Sequence, residues 1–192
     1  MRSFLLGTLF CLACIVPALA QSNTTFLKIV TNFRRGYTIC PAGDGNLYVG
    51  GAVIGRTVVL KMTPDGNVIS SHFLDFSTGN LDNVSELIVD SEGMIVGCGT
   101  QGTADLRRGF VFRYNPTTST ILWAGTIDDD ATTLNGLLEK SPGGNYLVYG
   151  ETFANLGSDA TLLQIDRNTG VLLIPLTKRY NLSKAESFTA IV

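Results

Sequence analysis

The sequence predicts an all-β fold built from repeated four-stranded antiparallel units, and three observations predict it. A glycine-closed phrase recurs as DGNLYVGG, SEGMIVGCG and GGNYLVYG, and its last glycines, Gly51, Gly99 and Gly150, are spaced 48 and 51 residues apart. Charged residues make up only 16% of the 192 residues, whereas glycine accounts for 21 of them. Short runs rich in Val, Ile, Leu, Thr and aromatic residues lie between turns rich in Gly, Asn and Asp. This combination favours strands joined by tight turns over helices.

The first twenty residues, MRSFLLGTLFCLACIVPALA, have the three parts of a secretory signal. Arg2 gives a positive start, an apolar run follows at 5–16, and a small-x-small cleavage site precedes Gln21, where we expect the mature chain to begin. An alternative interpretation makes Cys14 the lipid anchor of a bacterial lipoprotein, but Cys11 stands where a leucine-like residue is expected. The signal predicts a secreted or extracellular protein, periplasmic or at the cell surface if the host is bacterial.

Composition also bears on partners. No stretch after the signal reaches the roughly 18 apolar residues of a membrane-spanning helix, so no membrane span is predicted. A net charge of −2 offers no basic patch for nucleic acid.

Each repeat begins with two apolar stretches joined by a glycine-rich turn. The first is YTIC at 37–40, ELIV at 86–89 or GLL at 136–138, and the second is LYVGG, MIVGCG or YLVYG. Both are apolar at nearly every position, as in strands covered on both faces. The turns AGDG, DSEG and SPGG are typical of hairpins, and we expect Gly45, Gly93 and Gly144 to end them.

Two further stretches complete each repeat. The third is TVVLKM, GFVFRY or ATLLQI, which begin at Thr57, Gly109 and Ala160 and carry a polar residue at the same place: Lys61, Arg113 and Gln164. A second turn leads to the fourth stretch, NVISSHFL, TILWAGTI or GVLLIPL. Four short strands joined by turns form an antiparallel meander.

A meander of four strands cannot bury both of its faces alone, and stacking such sheets around an axis covers them. The sequence therefore predicts a β-propeller within residues 21–192, with blade 1 at about 33–76, blade 2 at about 83–128 and blade 3 at about 133–181. A parallel β-helix has shorter coils without two hairpins per unit, and a β-sandwich lacks this period.

The chain ends carry partial repeats. FLKIV at 26–30 is similar to a fourth strand, and residues 185–192 are similar to the first strand of a next blade. Three blades are fewer than the four to eight of closed propellers, so we expect a fragment of a longer propeller. Its apolar end faces would then be covered by missing blades or by self-association.

The pattern of turn, apolar strand and VFRYNP or VLKMTPDG resembles secreted β-propeller repeats of the delta-sixty type. DRNTGVLLI at 166–174 is similar to the Asp-x-x-Thr-Gly turn of quinoprotein-like propellers, and 115–123 repeats its spacing, with Trp123 in the tryptophan place. The resemblance implies that Asp166 and Asn115 close their turns by accepting backbone N–H bonds and that the ring packs on the neighbouring blade. Blade 1 departs from the pattern, because its TPDGN turn is shorter and has no such aromatic residue.

Candidate site residues are few, and none is predicted to be catalytic, to bind a cofactor or to bind a metal. His72 is the only histidine and lies in an outermost predicted strand, so a surface structural role is favoured over a catalytic relay. The run at 128–130, three aspartates, lacks the alternating spacing of calcium loops and is favoured as a solvated loop. Three sequons could carry glycans in a eukaryotic host: Asn23, Asn83 and Asn181.

The two cysteines beyond the signal, Cys40 and Cys98, are expected at opposite ends of neighbouring strands. That separation, about 10 to 13 Å, exceeds the roughly 7 Å limit for bridged Cα atoms, so both are predicted to be buried free thiols.

Two functions are compatible with these patterns. The first is a secreted, non-enzymatic propeller scaffold that binds an extracellular protein or glycan through the connections after the second strands, at 52–56, 101–108 and 152–159, which vary in length and sequence. The alternative is a fragment of a propeller enzyme, such as a quinoprotein-like dehydrogenase or a polysaccharide-active enzyme, with its catalytic residues in missing blades.

Overall fold

The protein forms only β-structure over the residues described. A computed structural model describes residues 35–53, 56–74, 83–102, 107–127, 132–154, 157–173 and 178–180. They form twelve strands in three four-stranded sheets in which neighbouring strands are antiparallel, and no helix occurs among them. The all-β prediction is therefore confirmed. The predicted signal, the partial repeats at both ends, the 128–130 run and the sequons at Asn23 and Asn181 lie outside the described residues.

The strands follow one another in space as they do in sequence. The first sheet contains β1 (Arg35–Pro41), β2 (Leu47–Val53), β3 (Arg56–Met62) and β4 (Val68–Leu74). The second contains β5 (Asn83–Val89), β6 (Ile95–Gly102), β7 (Arg107–Asn115) and β8 (Thr120–Ile127). The third contains β9 (Thr132–Glu139), β10 (Tyr146–Ala154), β11 (Gly157–Ile165) and β12 (Lys178–Tyr180). Each sheet is thus a meander, as the repeated turns predict. None of the described segments is a helix that could cross a bilayer.

The sheets pack face to face in series through their first strands. Strands β1 and β2 contact β5, and strands β5, β6 and β7 contact β9. Two apolar cores result, one at each junction. The core between the first and second sheets includes Cys40, Tyr48, Val59, Leu87, Phe110, Phe112 and Tyr114. The core between the second and third sheets includes Cys98, Val111, Trp123, Leu134, Tyr146, Leu163 and Ile165.

A bulge recurs at the same place in each first strand, and it explains the repeated glycine. The pairing of β1, β5 and β9 with the following strand skips one residue, at Tyr37, Ser85 and Asn135. Opposite the bulges of β5 and β9, a Cβ atom on Gly99 or Gly150 would lie 2.0 Å from a backbone carbonyl oxygen of the first strand. Such a distance is far below van der Waals contact, so glycine is required by the approach of two backbones.

The first hairpins use two kinds of turn. In the second sheet, the N–H of Gly93 donates to the carbonyl of Asp90 over 2.9 Å, and Gly93 has a φ of 78°. In the third sheet, Gly144 closes the turn by donating to the Ser141 carbonyl over 2.7 Å, but the left-handed residue is Gly143. Pro142 before Gly143 makes this a type II turn, because that turn places proline second and glycine third.

The fourth strand of the third sheet differs from the prediction. Within GVLLIPL at 170–176, the described residues 170–173 contribute an isolated bridge from Leu172 to Ile165, and the named strand that pairs with β11 is β12. Pro175 lies in the sequence between these two pairings and has no N–H to give to a ladder. The apolar pattern therefore predicted this strand at 170–176, before the position of β12 at Lys178–Tyr180.

Candidate functional site

The predicted loops and lone histidine occupy different parts of the molecule. The connections after the second strands join β2 to β3, β6 to β7 and β10 to β11, and their central residues 54–55, 103–106 and 155–156 lie outside the described residues. His72 lies in β4, the outermost strand of the first sheet, and is half-buried. Its ring centroid is 5.5 Å from that of Tyr114 in the second sheet. The histidine is therefore an inter-sheet contact residue.

The two cysteines are buried and unbridged, as predicted. Burial, with a smaller effect of the nearby Glu86 carboxylate, raises the pKa of Cys40 to about 11. The same two causes raise the pKa of Cys98 well above its ordinary value. Because the thiolate is the reactive form, neither sulfur is suited to nucleophilic chemistry.

Asn83 is the one sequon residue that the structure describes. It begins β5, and its Oδ1 accepts a hydrogen bond of 2.7 Å from the Tyr37 hydroxyl of the first sheet. The Asn83 side chain therefore links the start of β5 to the bulge of β1 through this hydrogen bond.

The polar residue at the same place in each third strand forms an ion pair with the first hairpin turn in the first and second sheets. Lys61 Nζ lies 2.6 Å from Asp44 Oδ2, and Arg113 lies 2.5 Å from Glu92 Oε2, so in two sheets the third strand reaches the same position of the first hairpin. The hydrogen bond from Lys61 lowers the pKa of Asp44 to about 2. The third sheet has Gln164, which is buried, at this place.

A buried ionic cluster joins the second and third sheets, and Arg113 is its one member that the repeat pattern singled out as a polar residue within an apolar strand. Its centre is Asp90, whose Oδ2 accepts hydrogen bonds from the Tyr146 hydroxyl at 2.7 Å and from Arg113 Nε at 3.0 Å. Arg167 of the third sheet lies 3.3 Å from the same oxygen and also pairs with Glu139. Asp90, Arg113 and Arg167 are each at most 6% exposed. We call Asp90, Arg113, Tyr146, Glu139 and Arg167 the ionic clamp.

The clamp holds its acids ionised. Burial alone would raise the pKa of Asp90, but hydrogen bonds from Tyr146, the Met94 and Glu92 amides and Arg113 outweigh burial and lower it. Burial, reinforced by the Asp90 carboxylate, raises the pKa of Tyr146, so its hydroxyl stays a donor. The charged groups bind one another across the junction, which makes the clamp a structural connection.

Trp123 of β8 fills the same junction. Its Nε1 donates to the carbonyl of Arg167 over 2.8 Å, and its ring lies against Gly170, where a Cβ atom would be 2.5 Å away. Asn115 and Asp166 accept backbone N–H bonds within their own turns, from Thr117 at 2.9 Å and Thr169 at 2.9 Å. The turn closure and ring packing that the resemblance implied are both present.

The first and second sheets leave a cleft at the equivalent junction. It has a volume of about 490 Å³ and is lined by 71–74 of β4, by Tyr114 of β7 and by 119–121 of the β7–β8 turn. None of these residues is charged. Among the described residues, no group of three or more His, Cys, Asp or Glu side chains is arranged to hold a metal ion.

Compared with known families and with the curated proteins, the chain matches no family model and no curated protein.

Proposed function

We propose that the three sheets are successive blades of a β-propeller, exported by the signal at 1–20, that binds an extracellular protein or glycan through the connections after the second strands. The observation that carries this proposal is a hydrogen bond repeated between sheets. Thr38 Oγ1 accepts from the Leu87 N–H at 3.3 Å, and Glu86 Oε2 accepts from the Leu137 N–H at 2.6 Å. Leu87 and Leu137 occupy the same place in their repeats, so each sheet is joined to the next by the same contact.

This repeated contact supports a common orientation of the sheets. Since each sheet is a meander of the same order, equivalent stacking brings the β2–β3, β6–β7 and β10–β11 connections to one end of the assembly. A rigid array of strands with sequence variation at one end is the arrangement of scaffolds that bind through loops. The buried thiols, the half-buried histidine and the self-paired ionic clamp supply no observation that favours the enzyme alternative.

The test replaces the three connections together. Residues 54–55, 103–106 and 155–156 are exchanged for Gly and Ser, and secreted wild-type and variant proteins are applied to arrays of glycans and extracellular proteins. We expect the wild type to bind a defined set of ligands and the variant to lose them.

The matched control is a substitution at the opposite end, Pro64→Ala with Asp65→Ser in the β3–β4 turn, which should keep binding. Unchanged binding by the loop variant, or turnover of an arrayed ligand by the wild type, would overturn the proposal.

A further inference from the structure

The junction between the first and second sheets differs from the junction between the second and third at four equivalent positions. Equivalence follows from strand pairing: Ser70 pairs with Lys61 as Trp123 pairs with Arg113, and both basic residues occupy the same place of the repeat. The differences are then Ser70 for Trp123, His72 for Gly125, Tyr114 for Ile165 and Ser119 for Gly170. Three of the four residues at the first junction, His72, Tyr114 and Ser119, line the cleft, and the fourth, Ser70, directly precedes its lining segment at 71–74.

Two features of this cleft cost stability. Ser119 has a φ of 57°, and it is the only described residue other than glycine with a positive φ. The equivalent turn of the third sheet uses Gly170, so serine keeps a hydroxyl on the cleft at the cost of backbone strain.

The second costly feature is the Tyr114 hydroxyl. Tyr114 is 1% exposed, and its buried oxygen makes no hydrogen bond of ordinary length and angle. Burial raises the pKa of Tyr114, and a weaker interaction with the Ser119 side chain offsets part of that rise. Both residues line the cleft. Buried polar groups without partners are rare in native proteins, so this hydroxyl calls for an explanation, and a partner bound in the cleft would supply one.

The lining sets the class of ligand. It offers the hydroxyls of Ser71 and Ser119, the buried phenol of Tyr114 and the imidazole of His72, all of which can both donate and accept. The Thr120 hydroxyl already shares a hydrogen bond of 2.7 Å with Thr118. The hydroxyls of a sugar have the same dual character. Phe73 and Ile121, which are 48% and 40% exposed, add apolar surface for the C–H face of a sugar ring, and the absence of charged lining residues gives no counterion for an ionic ligand.

We propose that this cleft binds a neutral saccharide unit, with Tyr114 and Ser119 as its hydrogen-bonding residues. Its volume is within the range of small-molecule sites. The β7–β8 turn lies at the opposite end of β7 from the β6–β7 connection, so this site is separate from the loop surface proposed above. Either proposal can therefore fail without the other.

The experiment uses His72 as a built-in probe. It is the only histidine in the chain, so its imidazole proton signals are assigned without further work. The full chain is titrated separately with cellohexaose, laminarihexaose, mannohexaose and chitohexaose, and with a pool of neutral nonapeptides. We expect a saturable shift of the His72 signals with at least one oligosaccharide.

Three variants test the geometry. Tyr114→Phe and Ser119→Gly should weaken binding by about threefold to tenfold, the loss of one hydrogen bond. The same two variants should raise the melting temperature by about 2 to 6 °C, because each removes a destabilising feature. Ser70→Trp should fill the cleft and abolish the saturable shift, whereas Thr117→Ala, in the same turn but off the lining, should change neither quantity.

Three results of the binding measurements would overturn the inference. These are no saturable shift with any of the oligosaccharides, a shift with the peptides alone, or full affinity in Tyr114→Phe and Ser119→Gly. Binding that is lost together with a fall in melting temperature would also overturn it, because the two residues would then be structural.

Discussion

Single residues in this protein are fixed by how closely two backbones approach, and the glycines show it best. Gly99 and Gly125 are both strand glycines with ordinary φ angles, yet they differ in the space around them. A Cβ atom on Gly99 would lie 2.0 Å from the Asn83 carbonyl oxygen, whereas on Gly125 the nearest atom would be 3.7 Å away. Only the first position requires glycine for steric reasons.

Gly99→Ala should therefore destabilise the protein strongly. We expect a loss of about 3 kcal/mol or more in the free energy of unfolding, because the bulge must open to admit the methyl group. Urea unfolding of the variant measures it. Gly125→Ala is the matched control and should change stability by less than about 1 kcal/mol. Equal effects of the two substitutions would contradict the steric explanation of the repeated glycine.

Asp90→Asn tests the charge at the centre of the ionic clamp. The amide keeps the shape but leaves Arg113 and Arg167 buried beside a neutral group, so we expect a loss of about 3 kcal/mol at pH 7. The folded pKa of Asp90 is lowered, so its contribution is present above the unfolded pKa of about 3.8 and is lost as the pH falls below about 4.

Denaturant unfolding between pH 2 and 7 distinguishes this carboxylate from others. The variant should lose less stability than the wild type on acidification, although Glu139, whose pKa is also lowered, keeps part of the acid dependence. Asp44→Asn, which breaks an exposed pair, should have a much smaller effect at pH 7. If Asp90→Asn lost as much unfolding free energy as the wild type between pH 7 and pH 2, the clamp would not depend on this charge.

At the scale of elements, the bulged first strands join the sheets through one repeated contact. The Glu86 carboxylate accepts the Leu137 N–H, as the Thr38 hydroxyl accepts the Leu87 N–H. The next equivalent position is Gly136, where a Cβ atom would lie 2.3 Å from Glu86 Oε2. The carboxylate thus occupies the space that a side chain at Gly136 would need.

Glu86→Ala should leave the buried Leu137 amide without its acceptor. We expect a loss of about 1 to 3 kcal/mol and faster hydrogen exchange at the Leu137 N–H. Glu86→Gln keeps an acceptor oxygen and should retain most of the protection of that amide. Equal exchange rates in the two variants would mean that the contact does not hold the sheets together.

The elements were largely predictable because each is local. Hairpins follow from turn glycines and apolar runs, and they lie where AGDG, DSEG and SPGG predict them. The Lys61–Asp44 and Arg113–Glu92 ion pairs could also be predicted, because each acid lies in the first turn of a repeat whose third strand carries the basic residue. Pro175, which has no N–H for a ladder, argues for placing the fourth strand of the third sheet after 170–176.

The clamp and the cleft were not predictable, because they depend on contacts between repeats. Asp90 and Arg167 are 77 positions apart in sequence, and the turn motifs in which they lie, DSEG and DRNTG, do not predict a contact between them. The cleft exists because Ser70 stands where Trp123 does, which is visible only once strand pairing aligns the two sheets. A bulge, too, shifts register without a distinctive residue, since Tyr37, Ser85 and Asn135 share no chemistry.

At the scale of the whole molecule, the two junctions differ in strength. The junction between the second and third sheets has the ionic clamp and Trp123, whereas the junction between the first and second has a cleft. Among the described residues, the main contacts of the first sheet with another sheet are those of β1 and β2 with β5, and five of the eight exposed large apolar side chains belong to the first sheet: Tyr37, Ile39, Val68, Ile69 and Phe73. The first sheet should therefore separate at a lower free energy than the others.

The two buried thiols report on the junctions separately, because Cys40 lies in the first core and Cys98 in the second. Burial raises both pKa values, so each thiol should react with an alkylating reagent at pH 8 only when its junction opens. In rising urea, with labelling read by peptide mass, we expect Cys40 to open at a free energy at least about 1 kcal/mol below that of Cys98.

Asp90→Asn should lower the opening free energy for Cys98 and leave that for Cys40 nearly unchanged, whereas Ser70→Trp should raise the opening free energy for Cys40. Identical opening free energies for both thiols in every variant would instead show that the three sheets unfold as one unit, because each sheet can open separately only if its junctions are energetically independent.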